Sequence, residues 1–441
     1  MKSLRRIFTL LLVLSASASL ALQTVRAQDE QPLAIVMTAD GPIMPPMLEY
    51  IRRGIEVADR REAEVLIIQL NTPGGSLDTM LTIIQEIRAS EVPVVVYVAP
   101  RNAIAGSAGA MITMAGHASA MAPETSIGAS SPISGSGENL TTTAEEKAKE
   151  ISKASIRDFV APRGEEALAL AEAMIDEAKA ATASEALEAG LIDFIADNVD
   201  DLLEELDGFT VQINGEQRTL NSERARTESV NMSFIEQFLL FLTDPNIAFL
   251  LLAVGVQAVL IEISSPGGWV AGFIGVVCLT LAVYGMGVLP VNWFGMIFLI
   301  TAFVLFILDL KAPTHGALTA AGVASFIIGA LVLFNSPGTP QFQRVSVPLV
   351  VGTGFVIGLL FMVILMFALR ALRILPSMGS TSLIGKLGTA RSPVGSTGGQ
   401  VQLESELWTA ETAPGSEAIR KGDRVEVVEV KGLRLKVRKK E

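Results

Sequence analysis

Between residues 234 and 370 the chain is almost entirely apolar, and this stretch constrains its architecture more than any other feature. Five runs stand out, at roughly 238–263, 267–288, 292–310, 316–335 and 347–369. Each is close to the ~20 residues a helix needs to cross a bilayer. Trp269 and Trp293 fall near run ends, where interfacial aromatics gather. The pattern predicts a transmembrane region of about five helices. Glu262 interrupts the first run, and only "SSPGG" separates it from the second, so four or six helices stay open. Arg370 and Arg373 follow the last run, and the positive-inside rule puts that end in the cytoplasm. Five spans that begin outside also end inside, so count and charge agree.

The chain opens "MKSLRRIFTLLLVLSASASLALQTVRAQDEQP". A basic start, an apolar stretch and small residues before Gln28 predict a signal peptide over 1–27. An uncleaved anchor helix is the alternative, and both place the following domain outside the cytoplasm. The net charge of −12 belongs to the soluble parts and argues against nucleic acid as a ligand. One cysteine, Cys278, lies in an apolar run, so no intrachain disulfide or zinc cluster can form. His117 and His315 are the only imidazoles.

From about 33 to 205 short apolar runs alternate with helical patterns. "PLAIVM", "EVLIIQL", "VPVVVYVAP" and "ASAMAP" read as strands. "SLDTMLTIIQEIRAS" reads as an amphipathic helix capped by Ser76. The order predicts an α/β domain over 28–230 with a largely parallel sheet. Sites in such sheets form at the carboxyl ends of strands. Both "NTPGG" and "NAIAGSAG" fall there, the second reading as a helix from about Gly106. Residues 129–146 are small and polar, a mobile loop that could act as a lid. "FTVQINGEQRTL" predicts a hairpin turning at Asn214 and Gly215. Residues 380–441 carry short alternating strands and predict a small β-barrel of the OB-fold kind. Its one aromatic, Trp408, suits a core or inter-domain role better than base stacking, so the module reads as a protein-docking domain.

Ser107, between Gly106 and Ala108, is the candidate nucleophile, and it needs a base. His117 is nearly three helical turns away and His315 lies between spans, which argues against a histidine base. Lysine is the alternative, provided burial or nearby positive charge keeps it neutral. Lys147 comes first after the polar loop, with Lys149 and Lys153 as alternatives. Glu145 and Glu146 beside it favour the charged form, and a solvated helix-start lysine is the simpler reading. Gly74 and Gly75 can turn amide N–H groups toward an oxyanion; the equal alternative is a strand-to-helix turn that needs glycine for its shape.

Taken together, "LNTPGG", "AGSAGAMITMAG", "MAPETSIGAS" and "LIGKLGTA…ELWTA…KGDRVEVVEVKGLRLKV" resemble the long form of the NfeD family. These are membrane-anchored serine proteases of the ClpP class, often partnered with stomatin-like proteins. The resemblance covers nearly the whole mature chain in the same domain order. It implies a ClpP/crotonase-like domain, a transmembrane bundle and an OB-fold domain. By position it implies Ser107 as nucleophile, Lys147 as base, with Gly164 further on, and Gly74 and Gly75 as oxyanion donors. It implies homo-oligomers, dimers or larger, acting on apolar peptide segments, including the C-terminal region of a stomatin-like partner. It implies no cofactor and no metal. The expected place is the inner membrane, with the protease domain extracytoplasmic and the β domain cytoplasmic. Gly106 and Ala110 depart from the commoner residues of the motif. Two other readings remain: a non-catalytic scaffold for a stomatin-like partner, and a CoA-ester isomerase or hydratase, which export disfavours.

Overall fold

The computed structural model describes residues 31–130, 142–264, 267–311, 314, 316–336, 339–373 and 383–440. The predicted signal peptide, His315 and most of the predicted loop at 129–146 lie outside the described residues.

Six strands make one parallel sheet, in the order Arg226–Val230, Leu33–Asp40, Val65–Asn71, Val94–Val98, Ala118–Met121 and Phe194–Ile195. Its central strands are near-continuous apolar runs because both faces are covered. Alternation divides them between two cores. Ile35, Met37, Leu66, Ile68, Val94 and Val96 pack with the helices Pro45–Arg60, Leu77–Ala89 and Ala108–Ala115. Ala34, Val36, Val65, Ile67, Val95 and Tyr97 pack with the helix Val199–Leu206 and the hairpin Thr210–Thr219. Asn214 and Gly215 turn that hairpin at φ 50° and 86°, as the Asn-Gly pair predicts. Ser76 caps its helix, accepting from the Thr79 N–H at 3.4 Å. The edge strand Arg226–Val230 is not foreseen from sequence. Its residues are mostly polar and exposed or half-buried, so it carries no apolar signal.

His117 belongs to this core. Its Nδ1 accepts the Val94 N–H at 3.1 Å, while Nε2 has no partner among the described residues. Burial, then the nearby Arg88, lowers its pKa to about 4. The native state therefore stays neutral where the unfolded chain takes up a proton. The stabilisation is complete above about pH 6.5 and is lost as pH falls toward 4, by about 3 kcal/mol at most. Thermal unfolding in detergent between pH 7 and 4 should show this loss. It should shrink in His117→Gln, which keeps an acceptor for Val94.

Four helices are long and apolar enough to cross a membrane: Pro245–Ile263, Val270–Val288, Ala317–Phe334 and the one within Gln341–Val363. A fifth apolar helix, Phe294–Asp309, is shorter among the described residues. The first predicted run, 238–263, is two helices rather than one. Phe234–Phe241 ends before Leu242, and Pro245 opens the next helix. Asp244 enforces the break by accepting the Asn246 N–H at 2.7 Å. Glu262, the charge that made the count uncertain, serves the following turn. It accepts the N–H groups of Trp269 at 3.1 Å and Gly272 at 3.3 Å.

The C-terminal strands Leu387–Ala390, Gly399–Leu403, Glu406–Thr412, Arg424–Lys431 and Arg434–Lys439 close into a five-stranded barrel. Glu406–Thr412 and Arg434–Lys439 are its one parallel pair. Val401, Leu403, Val425, Val427, Leu435 and Val437 fill it. Trp408 packs half-buried against this core.

Candidate active site

The strand Ile104–Gly106 hands the chain directly to Ser107, and the helix Ala108–Ala115 begins at once. The helix therefore starts two residues later than the sequence pattern predicts. All eight of its residues are buried, so its position is fixed by packing. Ser107 stands at the hinge with φ 51° and ψ −113°, a conformation that costs a non-glycine residue ~1–3 kcal/mol. Three bonds hold it there, one of them from the Ala110 N–H to the Ser107 carbonyl at 3.1 Å. Its N–H donates to the Gly128 carbonyl at 2.8 Å, and its carbonyl accepts the Ser130 hydroxyl at 3.1 Å. The Ser107 hydroxyl has no hydrogen-bond partner among the described residues, and the residue is half-buried.

The end of the strand Val65–Asn71 lies against this hinge. Thr72 brackets the serine strand, donating to the Ile104 carbonyl at 2.7 Å and accepting from the Gly106 N–H at 2.9 Å. A Cβ on Gly74 would come within 2.7 Å of the Ser107 Cβ and 3.3 Å of its Oγ. Gly74 also takes φ +112°, which favours glycine. The small residues around Ser107 thus admit this loop. A Cβ on Gly109 would meet the Thr72 Cγ2 at 2.4 Å.

The two glycines have different hydrogen-bond states. The Gly74 N–H is already given to the Thr72 hydroxyl at 3.1 Å. The Gly75 N–H has no partner among the described residues. Its position is pinned from both sides, by Ile43 N–H to the Gly74 carbonyl and Ser76 N–H to the Ile43 carbonyl, each 2.9 Å. The Ala108 N–H opens its helix, has no helical partner and is unpaired among the described residues, although Ala108 is 3% exposed. Buried unpaired N–H groups are rare in folded proteins. Ala108 is a further candidate donor that the sequence pattern does not single out. The available signal was its position, since the residue after a nucleophile at a strand–helix turn commonly supplies such a donor.

The lysines separate too. All three lie on the helix Thr142–Val160, which packs on Ala108–Ala115. Lys149 is tied to Glu145 at 2.9 Å and to the Asp176 carbonyl at 3.1 Å. Lys153 bridges Glu150 and Asp176, which raise its pKa. Lys147 is exposed, with no hydrogen bond or ion pair among the described residues, and none joins it to Ser107. Glu145, the neighbour that threatened to hold Lys147 charged, faces Lys149. Gly164 stands at φ +122° before the next helix, and a Cβ there would meet nothing within 4 Å. His117 is engaged with Val94, as described.

A cavity of about 680 Å³ adjoins the loop, walled by Met44, Pro73, Met232, Leu240, Phe241 and Phe342. Among the described residues no cluster of His, Cys, Asp and Glu is grouped to hold a metal.

Three family profiles match the chain. They are the NfeD1b N-terminal domain over 36–214, the NfeD integral membrane domain over 246–367, and the NfeD-like C-terminal, partner-binding domain over 380–439. The membrane-bound protease PH1510 of Pyrococcus horikoshii is 33% identical over 411 residues, covering 91% of this chain and 92% of that protein. Membrane protein NfeD1b of Bacillus subtilis is 25% identical over 440 residues, covering 94% of each. Among solved structures, 1510-N, a membrane protease of P. horikoshii specific for a stomatin homolog, is 30% identical. That match covers 48% of this chain and all of the other, with a TM-score of 0.41.

Proposed function

This chain belongs to the NfeD family in its long form, and on that premise we propose that it is a membrane-anchored serine endopeptidase that cuts apolar segments of membrane-associated proteins. The observation that carries the reading is Ser107, held at a costly φ where a buried helix begins, with the Gly75 and Ala108 N–H groups unpaired among the described residues.

In this reading neutral Lys147 takes the Ser107 proton as Oγ attacks the substrate carbonyl. The Gly75 and Ala108 N–H groups receive the oxyanion. Each such donor is commonly worth about 10²–10³ in rate. The Lys147 ammonium then protonates the leaving amine, and water releases the acyl group from Ser107. Gly74 shapes the loop, so the proposed donor pair is Gly75 with Ala108 rather than Gly74 with Gly75. Lys147 is preferred over Lys149 and Lys153 because both of those are committed to carboxylates or a carbonyl. Substrate would carry it to Ser107 and strip its water.

The cavity beside the glycine loop, largely apolar but carrying Asp40 and Asp244, suits a greasy peptide. The natural substrate would be a stomatin-like partner, held by the C-terminal barrel. The catalytic domain would face away from the cytoplasm, the barrel would lie in it, and the protein would assemble as a dimer or larger.

The test is cleavage of a peptide matching an apolar stomatin C-terminus by full-length protein in detergent. Lys147→Ala should lose activity by about 10²-fold or more, and Lys149→Ala and Lys153→Ala should keep most of it. Full activity in Lys147→Ala would move the base elsewhere.

A further inference from the structure

The helix Phe234–Phe241 is amphipathic the wrong way round for water. Its outer face carries Phe234, Ile235, Phe238 and Phe241, which are 81%, 67%, 38% and 55% exposed. The rings of Phe234 and Phe238 stack at 6.3 Å, one turn apart, into an aromatic ridge. Its inner face carries the charge. Glu236 receives Arg53 in a two-pronged pair, Nε to Oε1 at 2.9 Å and Nη2 to Oε2 at 2.7 Å. Arg53 Nη2 also donates to the Asn231 carbonyl at 2.7 Å. Leu240 packs on the catalytic core. The Ser233 and Glu236 capping box fixes the first turn. The helix is thus clamped to the domain by its polar side and turned outward by its apolar side.

Covalent continuity says what covers that side. Three residues, Leu242 to Asp244, separate the helix from the membrane-crossing helix that opens at Pro245. Three extended residues span at most about 10 Å. The ridge is therefore tethered close to the start of that apolar helix, as interfacial amphipathic helices are to a bilayer surface.

We propose that Phe234–Phe241 is an interfacial docking helix. Phe234, Ile235, Phe238 and Phe241 enter the leaflet on the catalytic domain's side, and the Arg53–Glu236 pair sets the domain on the membrane surface. Docking stands without the protease reading. Its consequence rests on that reading: Leu240 and Phe241 also wall the cavity, so the helix opens the cavity at lipid level to apolar segments.

Nitroxide labels test the docking directly in full-length protein reconstituted in phosphatidylcholine–phosphatidylglycerol vesicles. On a Cys278→Ser background, Phe234→Cys and Phe238→Cys should be more accessible to oxygen than to a water-soluble nickel chelate. Glu223→Cys, on the domain surface, should show the reverse. Water accessibility at both helix positions would overturn the proposal, as would strong coupling between labels of two copies, which makes the ridge a dimer contact. A Phe234→Ser, Phe238→Ser double variant changes only exposed positions. It should cut a soluble peptide at the normal rate, and a bilayer-embedded substrate at least about tenfold more slowly. Equal rates on both would overturn the proposed role. Failure of the wild type on both substrates would refute the protease reading and leave the labelling result standing.

Discussion

Ser107→Ala is expected to reduce peptide cleavage by roughly 10⁴-fold or more while leaving the melting temperature within a degree or two. The two halves have separate causes. In the proposed mechanism the Ser107 oxygen is the attacking atom, and the residual rate would come only from the oxyanion donors and binding. Its hydroxyl makes no hydrogen bond among the described residues, so its loss leaves nothing unpaired. The bonds that hold the hinge, to Gly128 and from Ser130 and Ala110, run through the Ser107 backbone and survive the change. Ser107→Gly sharpens the contrast. Glycine adopts φ 51° without the penalty serine carries, so this variant should be equally inactive yet melt at or above the wild-type temperature. Cleavage rates and thermal unfolding of the three proteins check both halves.

Gly75→Ala is the second large effect. An added Cβ would fall 2.1 Å from the Ile43 carbonyl oxygen and 2.6 Å from its carbon. Both are backbone atoms, held by the two hydrogen bonds that flank Gly75. No rotamer relieves the clash, so the loop must move. The shift should cost about 1–3 kcal/mol of stability. It should also carry the Gly75 N–H off the oxyanion, lowering kcat by roughly 10²-fold or more. Pro73→Ala changes an exposed residue of the same loop and should do much less. Steady-state kinetics and unfolding of the two variants make the comparison.

The parts of this structure legible in the sequence were those with a strong periodic or compositional signal. The strands around Ile67 and Val96 are unbroken apolar runs, and Asn214-Gly215 names its own turn. The helix boundary at Ser107 was not legible, because "AIAGSAGAMITMAG" suits strand and helix alike until tertiary bonds from Thr72 and Gly128 divide it. The edge strand Arg226–Val230 is polar and paired on one side, so nothing in it points inward. The break at Leu242–Asp244 lies within a run that hydropathy alone joins. At the site, residue type singled out Ser107 and the glycine pair. The difference between Gly74 and Gly75 depends on the Thr72 hydroxyl, and the choice among lysines on where Glu145, Glu150 and Asp176 point. Spacing along the chain carries neither.

The central claim is that Ser107 is an activated nucleophile, and covalent labelling tests it most directly. Full-length protein in detergent should be treated with a fluorophosphonate, with and without the apolar peptide, and the adduct mapped by tandem mass spectrometry. The account predicts one adduct on Ser107, suppressed by the peptide and absent from Ser107→Ala. An unmodified Ser107, together with undiminished cleavage by Ser107→Ala, would contradict it.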